Sequence, residues 1–162
     1  MNEDAQLVSM SYQDYLELYD PTIEHPKIIG HWERTSKPTL DYNCLAHALG
    51  IEDKWFAPEK GELGYWWPEG IERKWDLPTI RKLLASYGFT LKSKTRGLTE
   101  GFVKIAIYTD KKRFPLHFAR QLETGGWTSK LGDKLDLRHD NLECMEGGSY
   151  GRVREIVMKR IK

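Results

Sequence analysis

"LDYNCLAHAL", residues 40–49, is the stretch on which the reading of this chain turns. Leu45, Ala46, Ala48 and Leu49 are good helix formers, and Gly50 stands where a helix C-terminus favours glycine. Asn43 then falls at the N-cap and Cys44 in the first turn. A cysteine there is either a small buried side chain or a nucleophile. The thiolate is the attacking form, and the partial positive charge of a helix start lowers a thiol pKa. The same N–H groups could later hold an oxyanion.

Working outward, the N-terminal side reads as short helices and irregular chain. Ser11 can cap a helix with Tyr12, Tyr15, Leu16 and Tyr19 on one face, stopped by Pro21. Residues 25–40 read as irregular, broken by Pro26, Gly30 and Pro38. "DLPTIRKLLASYGF" (76–89) is the clearest helix. Asp76 precedes it, Pro78 suits its first turn, Ile80, Leu83 and Leu84 face the core, and Gly88 ends it.

Beyond residue 101 the apolar period changes to two. "FVKIAIYTD" (102–110) turns Val103, Ile105 and Ile107 inward, and "LHFARQLE" (116–123) alternates Leu116, Phe118 and Arg120 against His117, Ala119 and Gln121. "DKKRFP" (110–115) joins them as a hairpin would. "GGWTSKLG" (125–132) reads as a further strand or turn, 133–151 as a connection with a helical turn, and "RVREIVMKRI" (152–161) as a closing strand. Helices first and antiparallel strands after define an α+β class. The expectation is one domain over 1–162, with a helical part at about 1–97 and a sheet part at about 98–162.

Composition narrows the function. Lys and Arg number 25 against 24 Asp and Glu, so no global field favours nucleic acid, and the basic C-terminus reads as a strand with a solvated face. No apolar run reaches membrane-spanning length, and "MNEDAQLVSM" lacks the pattern of a signal peptide. The expected location is the cytoplasm, with both cysteines reduced. Neither a membrane nor a cofactor is expected as a partner. A peptide or protein substrate is.

A nucleophilic Cys44 requires a base, and His117 is the best candidate. An "NC" turn opening a helix, followed much later by a strand histidine, resembles the papain-like cysteine hydrolases, most closely their small bacterial cell-wall endopeptidases and amidases. The resemblance implies a Cys-bearing helix packed on an antiparallel sheet, with Cys44 as nucleophile and His117 as base. It implies a third polar residue within "GWTSKLGD", where Ser129 and Asp133 are the candidates and Asp136 and His139 stand behind them. "NCLAHALG", "HFARQLETGGWTSKLGD" and "SYGRV" together also look like an uncharacterised group of prokaryotic domains, across roughly 40–155.

Each residue also has a plainer reading. Asn43 is an N-cap or a donor beside the oxyanion. Trp66 and Trp67, with Trp55, Phe56 and Tyr65, form a packed cluster or one wall of a substrate cleft. Trp127 is core or a substrate contact. His47 shares a helix face with Cys44, which permits zinc, but no second close ligand pair accompanies them, so no metal is expected. Cys144 is structural, and "GGSYG" (147–151) is a turn. The expected function is thiol hydrolysis or acyl transfer at an amide or isopeptide bond through Cys44 and His117. The alternative is a non-catalytic protein-binding module on the same scaffold.

Overall fold

The computed structural model describes residues 11–61 and 64–161. The acidic N-terminal stretch read above lies outside the described residues. Four short helices are formed: α1 Tyr12–Leu18, α2 Pro21–Glu24, α3 Cys44–Ala48 and α4 Leu77–Ser86. Nine strands accompany them: β1 Trp32–Arg34, β2 Trp55–Phe56, β3 Tyr65–Trp66, β4 Leu91–Ser93, β5 Phe102–Thr109, β6 Pro115–Gln121, β7 Trp127–Lys130, β8 Asp136–His139 and β9 Arg152–Arg160.

Seven of the strands make one antiparallel sheet in the order β1-β8-β7-β6-β5-β9-β4. The α+β class is therefore what the chain adopts. The division at residue 97 is not, because β1 and β4 come from the N-terminal part and complete both sheet edges. Local pattern missed them because each is three residues long and held by a distant partner. Trp32, for instance, lies opposite His139. β8 was likewise hidden in what reads as a connection.

The caps form as their side chains allow. Ser11 accepts from the Asp14 N–H, and Asp76 accepts from that of Thr79. Pro21 does more than stop α1: it opens α2, capped by Asp20. The aromatic face expected for α1 buries only Leu16, while Tyr12 and Tyr15 are exposed.

Strand alternation sorts the core onto two faces. Ile105, Ile107 and Phe118 point to the side covered by α3 and α4, against Leu45, Phe56, Trp67, Ile80, Leu83 and Leu84. Ala106, Tyr108 and Ala119 point to the other side, against Ile28, Trp127, Leu142 and Met145. The sheet is thus buried on both faces at its centre. One irregularity positions the site. β6 and β7 pair only at Arg120 with Thr128 and Gln121 with Trp127. Toward Pro115 the two strands part, and α3 packs against both.

Candidate active site

The parted strands are bridged by side chains instead of a backbone ladder. The His117 ring on β6 reaches Ser129 on β7, Nε2 to Oγ at 2.9 Å, and Ser129 Oγ meets His139 Nε2 on β8 at 2.8 Å. His139 Nδ1 lies 2.8 Å from the Asn141 carbonyl oxygen. His117, Ser129 and His139 are all fully buried.

Proton bookkeeping assigns every hydrogen in this chain. A carbonyl can only accept, so His139 Nδ1 carries the proton. Burial holds the His139 pKa down at about 4, so the ring is neutral near pH 7 and its Nε2 is an acceptor. The Ser129 hydroxyl therefore donates to His139 and accepts from His117 Nε2–H. His117, whose pKa burial drives well below the usual histidine value, is then left with a bare lone pair on Nδ1. That nitrogen is buried and has no hydrogen-bond partner.

Cys44 lies at the opening between the strands. Its sulfur is faced by the backbone N–H groups of Phe118, Leu45 and Cys44 itself. Phe118 follows His117 on β6, and successive strand side chains point to opposite faces, so the N–H that meets the thiol lies one residue along from the imidazole. No hydrogen bond joins thiol and imidazole, since His117 Nε2 is given to Ser129 and Nδ1 is unpartnered. Tyr150 closes the arrangement. Its ring lies flat on His117, centroids 3.9 Å apart and planes within 4°, and His25 stacks on its vicinity at 4.7 Å. The Tyr150 hydroxyl pKa is driven well above its ordinary value by burial first, and next by the proximity of Cys44.

The thiol departs from expectation in one respect. A helix start was expected to lower its pKa. Burial instead pushes it up to about 11, although the three N–H groups pull the other way. α3 has only five residues, and the field of so short a helix is small beside desolvation. The resting pair is a neutral thiol and a neutral imidazole.

Beside Cys44 lies a second polar group. His47 Nε2 is 2.9 Å from Thr128 Oγ1, and its Nδ1 is 3.5 Å from Asp136 Oδ2. Tyr42 donates to the same Asp136 oxygen at 2.6 Å. His47 is therefore neither a surface residue nor available to Cys44. The buried Lys130 ammonium donates to the carbonyls of Thr39 and Gly132 at 2.9 and 2.7 Å, and to that of Lys134, tying the segment before α3 to the β7–β8 turn. Burial brings the Lys130 pKa down to about 8.

Of the residues singled out from sequence, His117, Ser129 and His139 meet in one chain, and Cys44 meets the β6 backbone at Phe118. Asp133 joins neither: it sits in the β7–β8 turn, 3.7 Å from Lys134. Trp127 is 1% exposed in the core and cannot be a substrate contact, and Trp67 is core too. Trp66 is half-buried against Phe56. Asn43 accepts from the Ala46 and Phe56 N–H groups and donates to the Phe56 carbonyl at 2.7 Å, so its amide is committed to capping and to holding β2. Cys144 donates its S–H to the Asn141 carbonyl at 3.0 Å. Tyr150 was read as a turn residue. Only its glycine neighbours marked the place. Among the described residues no three His, Cys, Asp or Glu side chains group closely enough to hold a metal ion, and no helix is long and apolar enough to cross a membrane.

Residues 33–158 match the family described as Domain of unknown function (DUF7689), and the chain belongs to that family. The matched span runs from β1 into β9 and contains Cys44, His117, Ser129, His139 and Tyr150. No curated protein and no solved structure matches the chain.

Proposed function

We propose that this protein is a thiol hydrolase or acyl transferase of papain-like organisation, acting on an amide or isopeptide bond of a peptide or protein. The observation that carries this reading is the His117 tautomer. The Ser129–His139 chain keeps the ring's proton on Nε2 and leaves an unbonded lone pair on Nδ1, one residue along β6 from the Phe118 N–H that faces the Cys44 sulfur. A buried polar atom without a partner is costly, and His117 Nδ1 shares that state among the described residues with His25 Nε2, Gln121 Oε1 and Asp136 Oδ1.

The chemistry follows from that tautomer. Cys44 Sγ attacks the substrate carbonyl carbon as its proton passes to His117 Nδ1. The backbone N–H of Cys44 donates to the oxyanion. Nε2–H remains bonded to Ser129, which orients the imidazolium, with His139 as the far support. Collapse breaks the C–N bond, the Nδ1 proton leaves with the amine, and a thioester stays on Cys44. Water or a second amine then releases the acyl group, with His117 taking the incoming proton. Because the resting thiol is protonated, His117 acts as a true base and not as half of a standing ion pair.

A non-catalytic binding module is the second reading, supported by the complete burial of His117. The two are separated by acylation with an activated ester such as p-nitrophenyl acetate, read by mass spectrometry in a Cys144→Ser background. The enzyme reading expects an acetyl group on Cys44 that forms roughly a hundredfold more slowly in His117→Ala, the usual weight of a general base. Absence of acetylation in the folded protein, or equal rates in the two forms, would remove the enzyme reading.

A further inference from the structure

The molecule is almost neutral overall, yet its cations are unevenly matched. The β5–β6 hairpin carries Lys111, Lys112 and Arg113 at its tip, and the adjoining start of β9 carries Arg152 and Arg154. All five are exposed. Among the described residues none of the five forms an ion pair, although thirteen such contacts are made elsewhere. The one acid within the patch, Asp110, spends an oxygen on the backbone N–H groups of Lys112 and Phe114, at 2.8 and 2.9 Å. Lys111, Arg152 and Arg154 line, together with Asp110, a surface cavity of about 310 Å³.

The hairpin turn adds an independent observation. Arg113 has φ 68°, the one non-glycine residue in the left-handed region among the described residues. Hairpin turns of this kind favour Gly or Asn there, since a Cβ is disfavoured. A long cation is held at a position where glycine would serve the fold better. Phe114 beside it is a large apolar side chain left about half exposed. Five cations beside a single carboxylate repel one another, and of their side chains Arg154 reaches a neighbour, Nε donating to Thr109 Oγ1 at 3.4 Å.

We propose that this hairpin face docks an acidic segment of a protein, with Asp or Glu carboxylates entering the Lys111–Arg152–Arg154 cavity and Phe114 packing against an apolar neighbour. Nucleic acid is the poorer fit. The basic area is confined to one hairpin and one strand start, the chain's pI is about 7.8, and a single exposed aromatic offers no stacking series. The cavity also shares Gly147 and Gly151 with the turn that carries Tyr150. From Pro115 to Phe118 the strand covers roughly 10 Å at the usual strand rise. A docked segment could thus continue toward Cys44, but docking itself stands whether or not Cys44 is catalytic.

The test is fluorescence anisotropy with a labelled Asp/Glu-rich peptide, its Asn/Gln counterpart and a single-stranded oligonucleotide of equal charge. The acidic peptide is expected to bind most tightly, to lose roughly tenfold or more in the double variant K111E/R152E, and to weaken with added salt. Arg113→Gly guards against misfolding as an explanation, because glycine suits φ 68°. It should bind several-fold more weakly while melting no lower than wild type. The proposal is overturned if the Asn/Gln peptide binds equally, if the variants bind as wild type does, or if the oligonucleotide binds more tightly than the acidic peptide. No turnover is read, so this result is separate from that of the acylation experiment.

Discussion

Both faces of the central sheet carry a buried apolar cluster, but one of them also encloses a row of polar side chains. The α3–α4 face is filled by Leu, Ile, Phe and Trp side chains whose contribution is removal from water. The opposite face encloses His25, His117, His139, Ser129 and Tyr150 in one stacked and hydrogen-bonded row. Buried polar groups add little to stability when satisfied and subtract when they are not. The contrast sets a purely apolar packing face against one that also holds buried titratable groups.

The sharpest way to break that contrast is Cys44→Ala. If the polar face and Cys44 form one reactive unit, the variant loses all acyl transfer, a drop of at least about a thousandfold, while melting close to wild type. An unfolded Cys44→Ala protein would make Cys44 another core residue.

Leu84→Ala probes the apolar face alone. A fully buried leucine leaves a cavity on truncation, and denaturant unfolding should show a loss of about 2–5 kcal/mol. The acetylation rate of the folded fraction should change little, since Leu84 lies on α4 and the nucleophile is carried by α3.

Acid should attack the polar face. His139 has a folded pKa of about 4, below the usual histidine value of 6.5, and His117 and His25 shift in the same direction. The unfolded chain therefore binds more protons at acidic pH, so the stability these groups confer is complete above pH 6.5 and is lost as pH falls toward 4. For His139 the shift amounts to about 3 kcal/mol. Melting temperature should fall across this window, and His139→Gln should flatten the fall. A flat profile in wild type would mean the rings are not buried neutral.

Ser129→Ala removes the bridge and leaves two imidazole nitrogens unpaired. About 2 kcal/mol of stability should go. Acetylation should slow as well, because His117 is no longer held in the Nε2–H form. Alkylation of Cys44 gives the mildest test. With the thiol at about 11, iodoacetamide should react more slowly at pH 8 than with a free cysteine, and the rate should climb past pH 10. A plateau reached below pH 7 would instead reveal a standing thiolate–imidazolium pair.

Cys44 and Cys144 show how far local pattern reaches. Each sits in a short helical turn behind an Asn whose side chain accepts from a backbone N–H of that turn, Asn43 from Ala46 and Asn141 from Cys144. Cys144 is satisfied by the carbonyl of its own turn, while Cys44 faces an N–H from a strand more than seventy residues away. The cap is legible from neighbours in sequence; the difference between the two thiols is not.

By itself the sequence determined the α+β class, the capped helices around Cys44 and Leu84, and the alternation that turns His117 away from Phe118, because these depend on side chains within a few positions of one another. Only the tertiary structure decided that β6 and β7 part at the site, that Ser129 and not Asp133 meets His117, that His139 fixes the proton, that Tyr150 covers the ring, and that the thiol pKa rises instead of falling. Hydrogen-bond partners and desolvation are set by what long-range folding brings alongside a group, and no spacing along the chain encodes them directly.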